Sequence, residues 1–342
     1  MVVLDHETIR SMVPGRFFRD HKGPINSLDF HPTDDVMVTV GDDDTIQMYR
    51  TSSGELVKTL YSKKYGCSCV TFTHASQAVL YASKVKQPSK DPKKDHALRY
   101  HSLYNNEYIR YFMGHTAQVV NVSMDAVTDE FLTASADGTV RLWDLRTPAC
   151  NGVIRCATTP CVASDLQGLI FAAATDDGEL KLYDARKYGQ GPFIDFQVGS
   201  VDPGTGKRPR VTCAKFSPDG EGLLCVAGGT MYIIDAFKGD ELMRINVGAE
   251  TGGMGQGKDA AGATGNNLEA CWTPDNKCLL SGGADSRVHV WSAVNGSKVA
   301  TWGSRHAGIP SSVRWAPGMM LAASACTEGG CALWIPKAGG GQ

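Results

Sequence analysis

The stretch GHTAQVVNVSMDAVTDEFLTASADGTVRLWDLR, residues 114–146, holds the pattern that decides the fold. A short apolar run is followed by a turn and a second apolar run. An Asp-containing turn then leads into a strand that ends in an aromatic residue. The stretch opens with Gly114-His115 and closes with Trp143-Asp144. Short apolar runs separated by turn residues predict antiparallel β-strands.

Three landmarks of this stretch recur at fixed distances elsewhere in the chain. A histidine lies 28 residues before the strand-ending aromatic in three segments: His21–Tyr49, His115–Trp143 and His306–Trp334. An acid lies six residues before that aromatic in four segments: Asp43, Asp137, Asp285 and Glu328. A proline lies 17 residues before it in three segments: Pro32, Pro274 and Pro317. Chance does not align three kinds of landmark, so the chain is a repeat protein.

The repeated unit resembles the WD40 repeat, a four-stranded blade of a β-propeller. Seven strand-ending positions are assigned: Tyr49, His101, Trp143, Tyr183, Ile234, Trp291 and Trp334. The sequence therefore predicts an all-β, seven-bladed WD40 β-propeller that forms a single domain over residues 1–342.

Three insertions and the two chain ends complete this prediction. Repeats of about 40–45 residues are expected, and three longer gaps are explained by insertions at 84–95, 199–210 and 248–267. The last blade ends without an outer strand. Residues 15–21 are predicted to supply it, which closes the ring and shortens the exposed edges. The Gly-rich tail 338–342 is predicted to be flexible.

The polar side chains of the clearest repeat are predicted to be structural. A buried His–Asp pair and an indole N–H satisfy one another and tie the strands of a blade together. A hydrolase site is disfavoured because the serine has no nucleophile elbow around it. The residues that match the hydrogen-bonded WD40 tetrad are His115, Ser135, Asp137 and Trp143. Gly41 and Gly283 are predicted to replace the serine in two other blades.

One segment imitates a nucleotide-binding loop. Gly252, Gly257 and Lys258 have the spacing of a P-loop. A P-loop needs Ser or Thr after the lysine to hold magnesium, whereas Asp259 follows here and would repel phosphate. We therefore interpret the segment as a loop between blades. With no metal-ligand spacing and no paired-carboxylate signature, we expect a non-catalytic protein with no cofactor.

The bulk composition excludes further classes. A formal net charge of -2 over 342 residues disfavours a broad basic face, and we expect no direct, specific nucleic-acid partner. No run approaches 18 consecutive apolar residues, so no membrane partner is expected. Eleven scattered cysteines without a C-x-x-C pair predict reduced thiols in an intracellular compartment.

Several segments resemble one WD40 family more closely than the general repeat. It is the small WD-repeat subunit of the COMPASS histone H3 lysine 4 methyltransferase, which also occurs in RNA 3′-end processing and phosphatase complexes. The segments span all seven blades: TLYSKKYG (59–66), LRYHSLYNNEYIRYFMGH (98–115), VRLWDLRTP (140–148), GLIFAAA (168–174), KLYDARKYGQGPF (181–193), IIDAFKG (233–239), LEACWTPD (268–275) and ASAC (323–326). The insertions depart from the family pattern.

The resemblance implies a function without chemistry. Family members anchor the SET-domain methyltransferase subunit and link it to the phosphorylated C-terminal repeats of RNA polymerase II. In related complexes they recruit a protein phosphatase 1 regulatory subunit, the cleavage and polyadenylation factor and termination factors. A nuclear location follows from these partners.

A phosphorylated polymerase tail needs Arg or Lys for charge-assisted hydrogen bonds, and aromatic walls suit its proline and tyrosine. The candidate binding residues lie on the loops that enter blades two and three: Lys63, Lys64, Tyr65, Arg110 and Tyr111. Within TLYSKKYG we expect Tyr61 to be in the core and the following residues to be exposed. The alternative interpretation is that these are solvated or framework residues.

A second hypothesis rests on a repeated Asp-x-Arg. The segments WDLR (143–146) and YDAR (183–186) place Arg146 and Arg186 at the same point of adjacent blades. This arrangement resembles the double motif of substrate receptors for cullin-4 ubiquitin ligases, in which both arginines would contact the adaptor. The alternatives are arginines that pair with an acid of a neighbouring blade, and a generic scaffold outside chromatin.

Overall fold

Seven four-stranded antiparallel sheets form the ring of a β-propeller, as predicted. The computed structural model describes residues 4–75, 77–86, 91–201, 204, 206–250, 268–303 and 305–337. In each blade the chain runs from the inner strand outwards, so neighbouring strands are consecutive in sequence, and the last blade is the exception. The tail 338–342 and the P-loop-like segment lie outside the described residues.

The first three blades contain the twelve strands between Ile25 and Arg155 and one short helix. Blade one is β2 (Ile25–Phe30), β3 (Val36–Gly41), β4 (Thr45–Arg50) and β5 (Glu55–Tyr61), and β1 (Met12–Phe18) precedes it. Blade two is β6 (Val70–Phe72), β7 (Ala78–Ala82), β8 (Leu98–Ser102) and β9 (Glu107–Phe112), with α2 (Pro92–Asp95) between β7 and β8. Blade three is β10 (Val119–Met124), β11 (Glu130–Ser135), β12 (Thr139–Asp144) and β13 (Cys150–Arg155).

The remaining blades repeat this order. Blade four is β14 (Pro160–Ser164), β15 (Ile170–Thr175), β16 (Glu179–Asp184) and β17 (Ile194–Gln197), with a 3-10 turn at Tyr188–Gln190. Blade five is β18 (Val211–Phe216), β19 (Gly222–Ala227), β20 (Thr230–Asp235) and β21 (Glu241–Asn246), followed by α3 (Val247–Glu250). Blade six is β22 (Ala270–Trp272), β23 (Cys278–Gly282), β24 (Val288–Ser292) and β25 (Lys298–Trp302). Blade seven has β26 (Pro310–Trp315), β27 (Ala322–Cys326) and β28 (Cys331–Pro336) from the C-terminal end.

Blade seven takes its outer strand from the other end of the chain. Strand β1 pairs antiparallel with β28, from Met12 opposite Pro336 to Phe18 opposite Cys331. This confirms the predicted closure of the ring by an N-terminal strand. The strand covers Met12–Phe18 rather than residues 15–21. Before this strand, helix α1 (His6–Ser11) packs against β25, and the Trp302 indole donates to the carbonyl of Ile9 at 2.8 Å.

The core lies between the blades. One cluster of buried residues combines Leu98 and Phe112 of blade two with Phe131 and Trp143 of blade three. The seven predicted strand-ending positions all fall in the third strand of a blade, where an aromatic ring can reach the neighbouring sheet. Aromatic burial of this kind gives each blade contacts with the next, so that stability accumulates around the ring.

The loops of the ring divide into two faces. Loops that join the outer strand of one blade to the inner strand of the next, and loops that join second and third strands, lie on what we call the upper face. The two other kinds of loop lie on the lower face. The strand ends that flank the three insertions lie on the upper face, because the insertions connect β7 to β8, β17 to β18 and β21 to β22. Within the described part of the chain, no helix is long and apolar enough to cross a membrane.

A hydrogen-bonded relay ties the upper face of blade three to its strands. His115 Nδ1 lies 2.9 Å from an Asp137 carboxylate oxygen, and Nε2 lies 2.7 Å from the Thr133 hydroxyl. The Trp143 indole donates to the same hydroxyl at 2.9 Å. Because Thr133 accepts from the indole, its own proton is free for Nε2, which assigns the histidine proton to Nδ1. Burial lowers the pKa of His115, in agreement with a neutral ring.

Ser135 was predicted as the hydroxyl of this tetrad, and that assignment was wrong. Its Oγ lies 3.0 Å from the carbonyl oxygens of Ala117 and Gln118 and accepts from the Asp137 amide. It holds a turn, while Thr133, two residues earlier and on the same side of the strand, meets the indole. The relay hydroxyl lies ten residues before the strand-ending aromatic in four blades: Thr39, Thr133, Ser281 and Ser324. Gly41 and Gly283 therefore replace no relay hydroxyl.

Ion pairs on the wall of the central channel join blades across the seam of the ring. Arg314 of blade seven bonds Asp29 of blade one at 2.9 Å and Glu269, just before blade six, at 3.0 Å. Lys215 of blade five reaches Glu269 at 2.6 Å. Burial alone would raise the pKa of Glu269, but Arg314 and Lys215 lower it to about 2. The blades next to the closure are therefore connected through side chains as well as through strands.

The relay predicts that Thr133→Val destabilises the fold more than Ser135→Ala does. The valine leaves His115 and Trp143 without their buried partner, which lowers the free energy of unfolding by roughly 2–4 kcal/mol, against about 1 kcal/mol for the serine. Thermal and urea unfolding of both variants measure this difference. An equal or larger effect of Ser135→Ala would contradict the assignment of Thr133.

The docked helix α1 predicts that closure depends on residues before the closing strand. Ile9 is fully buried against blade six, whereas Glu7 on the same helix is exposed. Ile9→Ala should lower the free energy of unfolding by about 2–4 kcal/mol, and the matched variant Glu7→Ala by less than about 0.5 kcal/mol. Unfolding midpoints test this, and similar midpoints for the two variants would mean that α1 does not support the ring.

Candidate interaction surface

The segment TLYSKKYG leaves the outer strand of blade one and turns onto the upper face. Strand β5 ends at Tyr61, and Lys63 and Lys64 are exposed in the turn that follows. The Lys63 ammonium lies 5.3 Å from the centre of the Tyr61 ring, and that of Lys64 lies 5.0 Å from the Tyr65 ring. Each lysine is thus held near an aromatic face and keeps its head in water.

The exposure of the two tyrosines is the reverse of the expectation. Tyr61 is 61% exposed, whereas Tyr65 is 9% exposed. Residue Tyr61 is the last of an edge strand whose side chains alternate between faces, and it points outward. The turn then folds Tyr65 inward onto Arg99, with the guanidinium carbon 3.6 Å from the ring centre. Tyr65 therefore supports the exposed lysines from below.

Arg99 is the site residue that the sequence analysis missed. It is fully buried in β8 and donates to the carbonyls of Ala97 at 3.2 Å and Lys94 at 3.1 Å, and to the Ser83 hydroxyl. Its only sequence signal is a basic residue within the short strand LRYHS. Among the described residues, no carboxylate pairs with it. Its charge is held by oxygen acceptors and by a ring face instead.

The two candidate binding residues of blade two, Arg110 and Tyr111, do not lie together. Tyr111 is half-buried, and the Arg99 guanidinium carbon lies 5.6 Å from its ring centre, so it belongs with the lysine turn. Arg110 points away and donates to the carbonyl of Leu145, in the lower-face loop of blade three. The structure therefore brings Lys63, Lys64, Tyr65 and Tyr111 around Arg99 but does not bring Arg110 to them. We call Tyr61, Lys63, Lys64, Tyr65, Arg99 and Tyr111 the lysine–tyrosine patch.

The first insertion borders this patch. The Lys84 amide donates to the Tyr65 carbonyl at 2.9 Å, and the Lys84 ammonium pairs with Asp42 at 2.6 Å. Lys86 pairs with Asp44 at 3.1 Å. These two lysines are neutralised by acids of blade one, whereas Lys63 and Lys64 have no ion pair with an acid among the described residues.

The cations of the patch act on Tyr65 at its centre. A hydrogen bond from Lys64, with the charges of Lys64 and Arg99, lowers the pKa of the Tyr65 phenol. Two exposed ammonium groups beside a buried guanidinium suit an anionic partner. The rings of Tyr61 and Tyr111 add apolar area at the edge. The arrangement therefore combines cationic groups with exposed aromatic area.

The two Asp-x-Arg arginines lie on the lower face, at the opposite end of the ring from the patch. Arg146 forms a two-pronged contact with Asp144 of its own motif, with Nη2 at 2.6 Å and Nε at 2.9 Å from its carboxylate oxygens. Arg186 is exposed, and among the described residues its guanidinium has no ion pair; only its backbone amide bonds Asp184, at 2.8 Å. The two motifs are equivalent in sequence, but the Arg146 guanidinium is paired with an acid and the Arg186 guanidinium is not, among the described residues.

The described residues contain no group of three His, Cys, Asp or Glu side chains placed to hold a metal ion. All eleven cysteines are described, and each is a free thiol. Burial raises the pKa of most of them, for example that of Cys67 to about 12. Thiols of this kind are packing groups, since the reactive form is the thiolate.

Comparisons with known proteins agree with the architecture. The family model described as "WD domain, G-beta repeat" matches residues 12–50, 106–144 and 266–292. WD repeat-containing protein 82 of Drosophila melanogaster is 36% identical over 98% of this chain and 98% of its own length. The Set1 complex component swd2 of Schizosaccharomyces pombe is 34% identical over 82% of this chain and 74% of its own length.

A further relative carries the name that the sequence resemblance anticipated. COMPASS component SWD2 of Saccharomyces cerevisiae is 32% identical over 79% of this chain and 76% of its own length. Identity at this level over most of both chains extends well beyond the repeat pattern shared by WD40 proteins in general. The chain belongs to the WD40 family that includes WD repeat-containing protein 82 and the SWD2 components of the Set1 complex and COMPASS.

Proposed function

We propose that this protein is a non-catalytic scaffold subunit of a COMPASS-type histone H3 lysine 4 methyltransferase complex. The observation that carries the proposal is the similarity, over about three quarters of their length, to two fungal relatives named as components of the Set1 complex and COMPASS. The subunit holds the SET-domain methyltransferase and works in the nucleus. A rigid ring of seven blades offers the separate surfaces that such an assembly needs.

The second part of the proposal concerns the lysine–tyrosine patch. It contacts the phosphorylated C-terminal repeats of RNA polymerase II, so that the methyltransferase travels with transcription. Lys63 and Lys64 are exposed and lack carboxylate partners among the described residues, which leaves both free to bind phosphate. Tyr61 and Tyr111 offer ring faces for the prolines and tyrosines of the repeats. Tyr65 and Arg99 hold the lysine turn in place.

The same subunit takes part in complexes for mRNA 3′-end processing and transcription termination, together with a protein phosphatase 1 regulatory subunit or the cleavage and polyadenylation factor. The support for this role is family membership alone. The cullin-4 receptor hypothesis stays a prediction, in which Arg146 is exposed and paired with Asp144, and Arg186 is exposed.

Purification of the tagged full chain from nuclear extract tests the assignment to a complex. We expect a SET-domain methyltransferase to co-elute at near-stoichiometric amounts, and 3′-end processing or phosphatase subunits in a separate fraction. Quantitative mass spectrometry of size-resolved fractions makes the measurement. Recovery of a cullin adaptor without a methyltransferase would contradict the proposed membership of a methyltransferase complex.

Charge reversal of the patch tests its partner. Lys63→Glu with Lys64→Glu should weaken binding of a doubly phosphorylated two-repeat polymerase-tail peptide by roughly 10- to 100-fold, since charge-assisted hydrogen bonds are each worth about 1.5–3 kcal/mol. Fluorescence anisotropy measures the affinity. The matched control is Lys238→Glu with Lys277→Glu, which makes the same charge change on exposed lower-face lysines.

Two outcomes separate the parts of the proposal. Equal loss in the patch variant and in the control would show that binding follows net charge and not the patch. Unchanged peptide binding in the patch variant, with the methyltransferase still co-purifying, would remove the patch from the proposal and leave the scaffold role.

A further inference from the structure

A cleft between blades three and four opens on the lower face, away from the lysine–tyrosine patch. Its volume is about 370 Å³, within the range of small-molecule and peptide-anchor pockets, roughly 300–1,000 Å³. Side chains of blade three form one wall and those of blade four the other. The residues that matter for its chemistry are Leu142, Glu130, Ile170, Ala185, Arg186 and Tyr188.

The outer end of the cleft is built by an unusual loop. The connection from the third to the outer strand of blade four covers residues 185–193, nine residues, whereas the same connection has four or five residues in blades one, two, three, five and six. The extra length forms the 3-10 turn at Tyr188–Gln190. Tyr188 then donates to the carbonyl of Asn151 in the outer strand of blade three at 3.0 Å.

Blade three is adapted to receive this tyrosine. Its outer strand carries Gly152 opposite the ring, and a Cβ at that position would overlap Tyr188. The loop of blade four is therefore fastened to blade three, and the cleft beneath it is a fixed feature of the ring. A wall held by a hydrogen bond and by close packing is preorganised for a ligand.

The cleft combines an apolar lining with one unpaired cation. Leu142, Ile170, Ala185 and Tyr188 are each partly exposed, in front of the buried aromatic core of blades three and four. Arg186 stands at the blade-four side with no ion pair among the described residues, in contrast to the equivalent Arg146. A free guanidinium beside apolar side chains favours a carboxylate attached to an apolar group.

Two carboxylates fix the direction of the ligand. Asp125 and Glu130 line the blade-three side. Asp125 already accepts the amides of Val127 at 2.8 Å and Thr128 at 2.7 Å, while Glu130 is exposed. An incoming acid is repelled from that side and must lie against blade four, next to Arg186. Outside the mouth, Leu166 and Leu169 of blade four are 55% and 47% exposed, which gives flanking residues an apolar surface.

We propose that this cleft binds a short linear peptide that inserts an apolar side chain between blades three and four and pairs an adjacent Asp or Glu with Arg186. The partner is an acidic–hydrophobic segment of another protein. Its site lies on the face opposite the lysine–tyrosine patch, so that both can be occupied at once. The inference does not depend on the proposed function, because it uses only the cleft and the free arginine.

Selection from a random heptapeptide phage library against the immobilised full chain tests the proposal. We expect the enriched peptides to share an apolar residue within two positions of an Asp or Glu. A fluorescein-labelled peptide of the most frequent sequence is then the probe for affinity by anisotropy. Failure to enrich any peptide over bare resin, or enrichment of basic peptides without an acid, overturns the proposal.

Three variants locate the site. Arg186→Glu should lower the affinity for the labelled peptide by roughly 10- to 100-fold. Ala185→Phe should lower it to the same extent, because the larger side chain fills the cleft. The matched control Arg146→Glu changes the equivalent, already paired arginine and should alter affinity by less than about twofold. Thermal midpoints check that the variants fold, and Arg186 is exposed, so its replacement is tolerated. Unchanged binding in Arg186→Glu, or equal loss in Arg146→Glu, refutes the assignment.

Discussion

The pairing of the two chain ends is the constraint on which the rest of the molecule depends. Six blades complete themselves from consecutive strands, but β28 of blade seven remains an open edge until β1 covers it. An unpaired edge of this kind invites association with other chains. The structure reinforces the seam twice, through α1 against blade six and through Arg314, which bridges to Asp29 in the channel. Every face of the ring takes its geometry from this closure.

A closed ring separates binding surfaces more strictly than a flexible scaffold can. Loops alternate between two ends of each blade, so residues near one another in sequence reach opposite faces. Side chains within a strand diverge as well: Arg110 and Tyr111 are neighbours in β9, and one bonds the lower-face loop of blade three while the other lies by the upper-face lysine turn. Two partners that bind opposite faces do not compete. The scaffold role proposed above needs this property.

Sequence patterns predicted the fold better than the site, for a physical reason. Aromatic and turn landmarks repeat because each blade must solve the same packing problem, and all seven strand-ending positions lie in the third strands. The relay hydroxyl was misassigned because Ser135 and Thr133 lie on one side of the same strand, two residues apart, and spacing alone does not distinguish them. The positions of Tyr61 and Tyr65 depend on where β5 ends. The role of Arg99 could be recognised only from the structure, in which the Tyr65 ring stacks on its guanidinium.

Arg99 also explains how a nearly neutral chain presents a cationic surface. A buried cation without a carboxylate is expensive unless other groups replace its hydration, and here backbone carbonyls, a serine hydroxyl and the Tyr65 ring do so. No acid among the described residues cancels its charge, whereas Asp42 and Asp44 cancel those of Lys84 and Lys86. Because the field of a buried charge is screened less than that of an exposed one, Arg99 adds to the attraction that Lys63 and Lys64 exert on an anion. Tyr65 covers Arg99 on one side and lies near Lys64 on the other. The packing of blade two therefore influences the charge of the lysine–tyrosine patch.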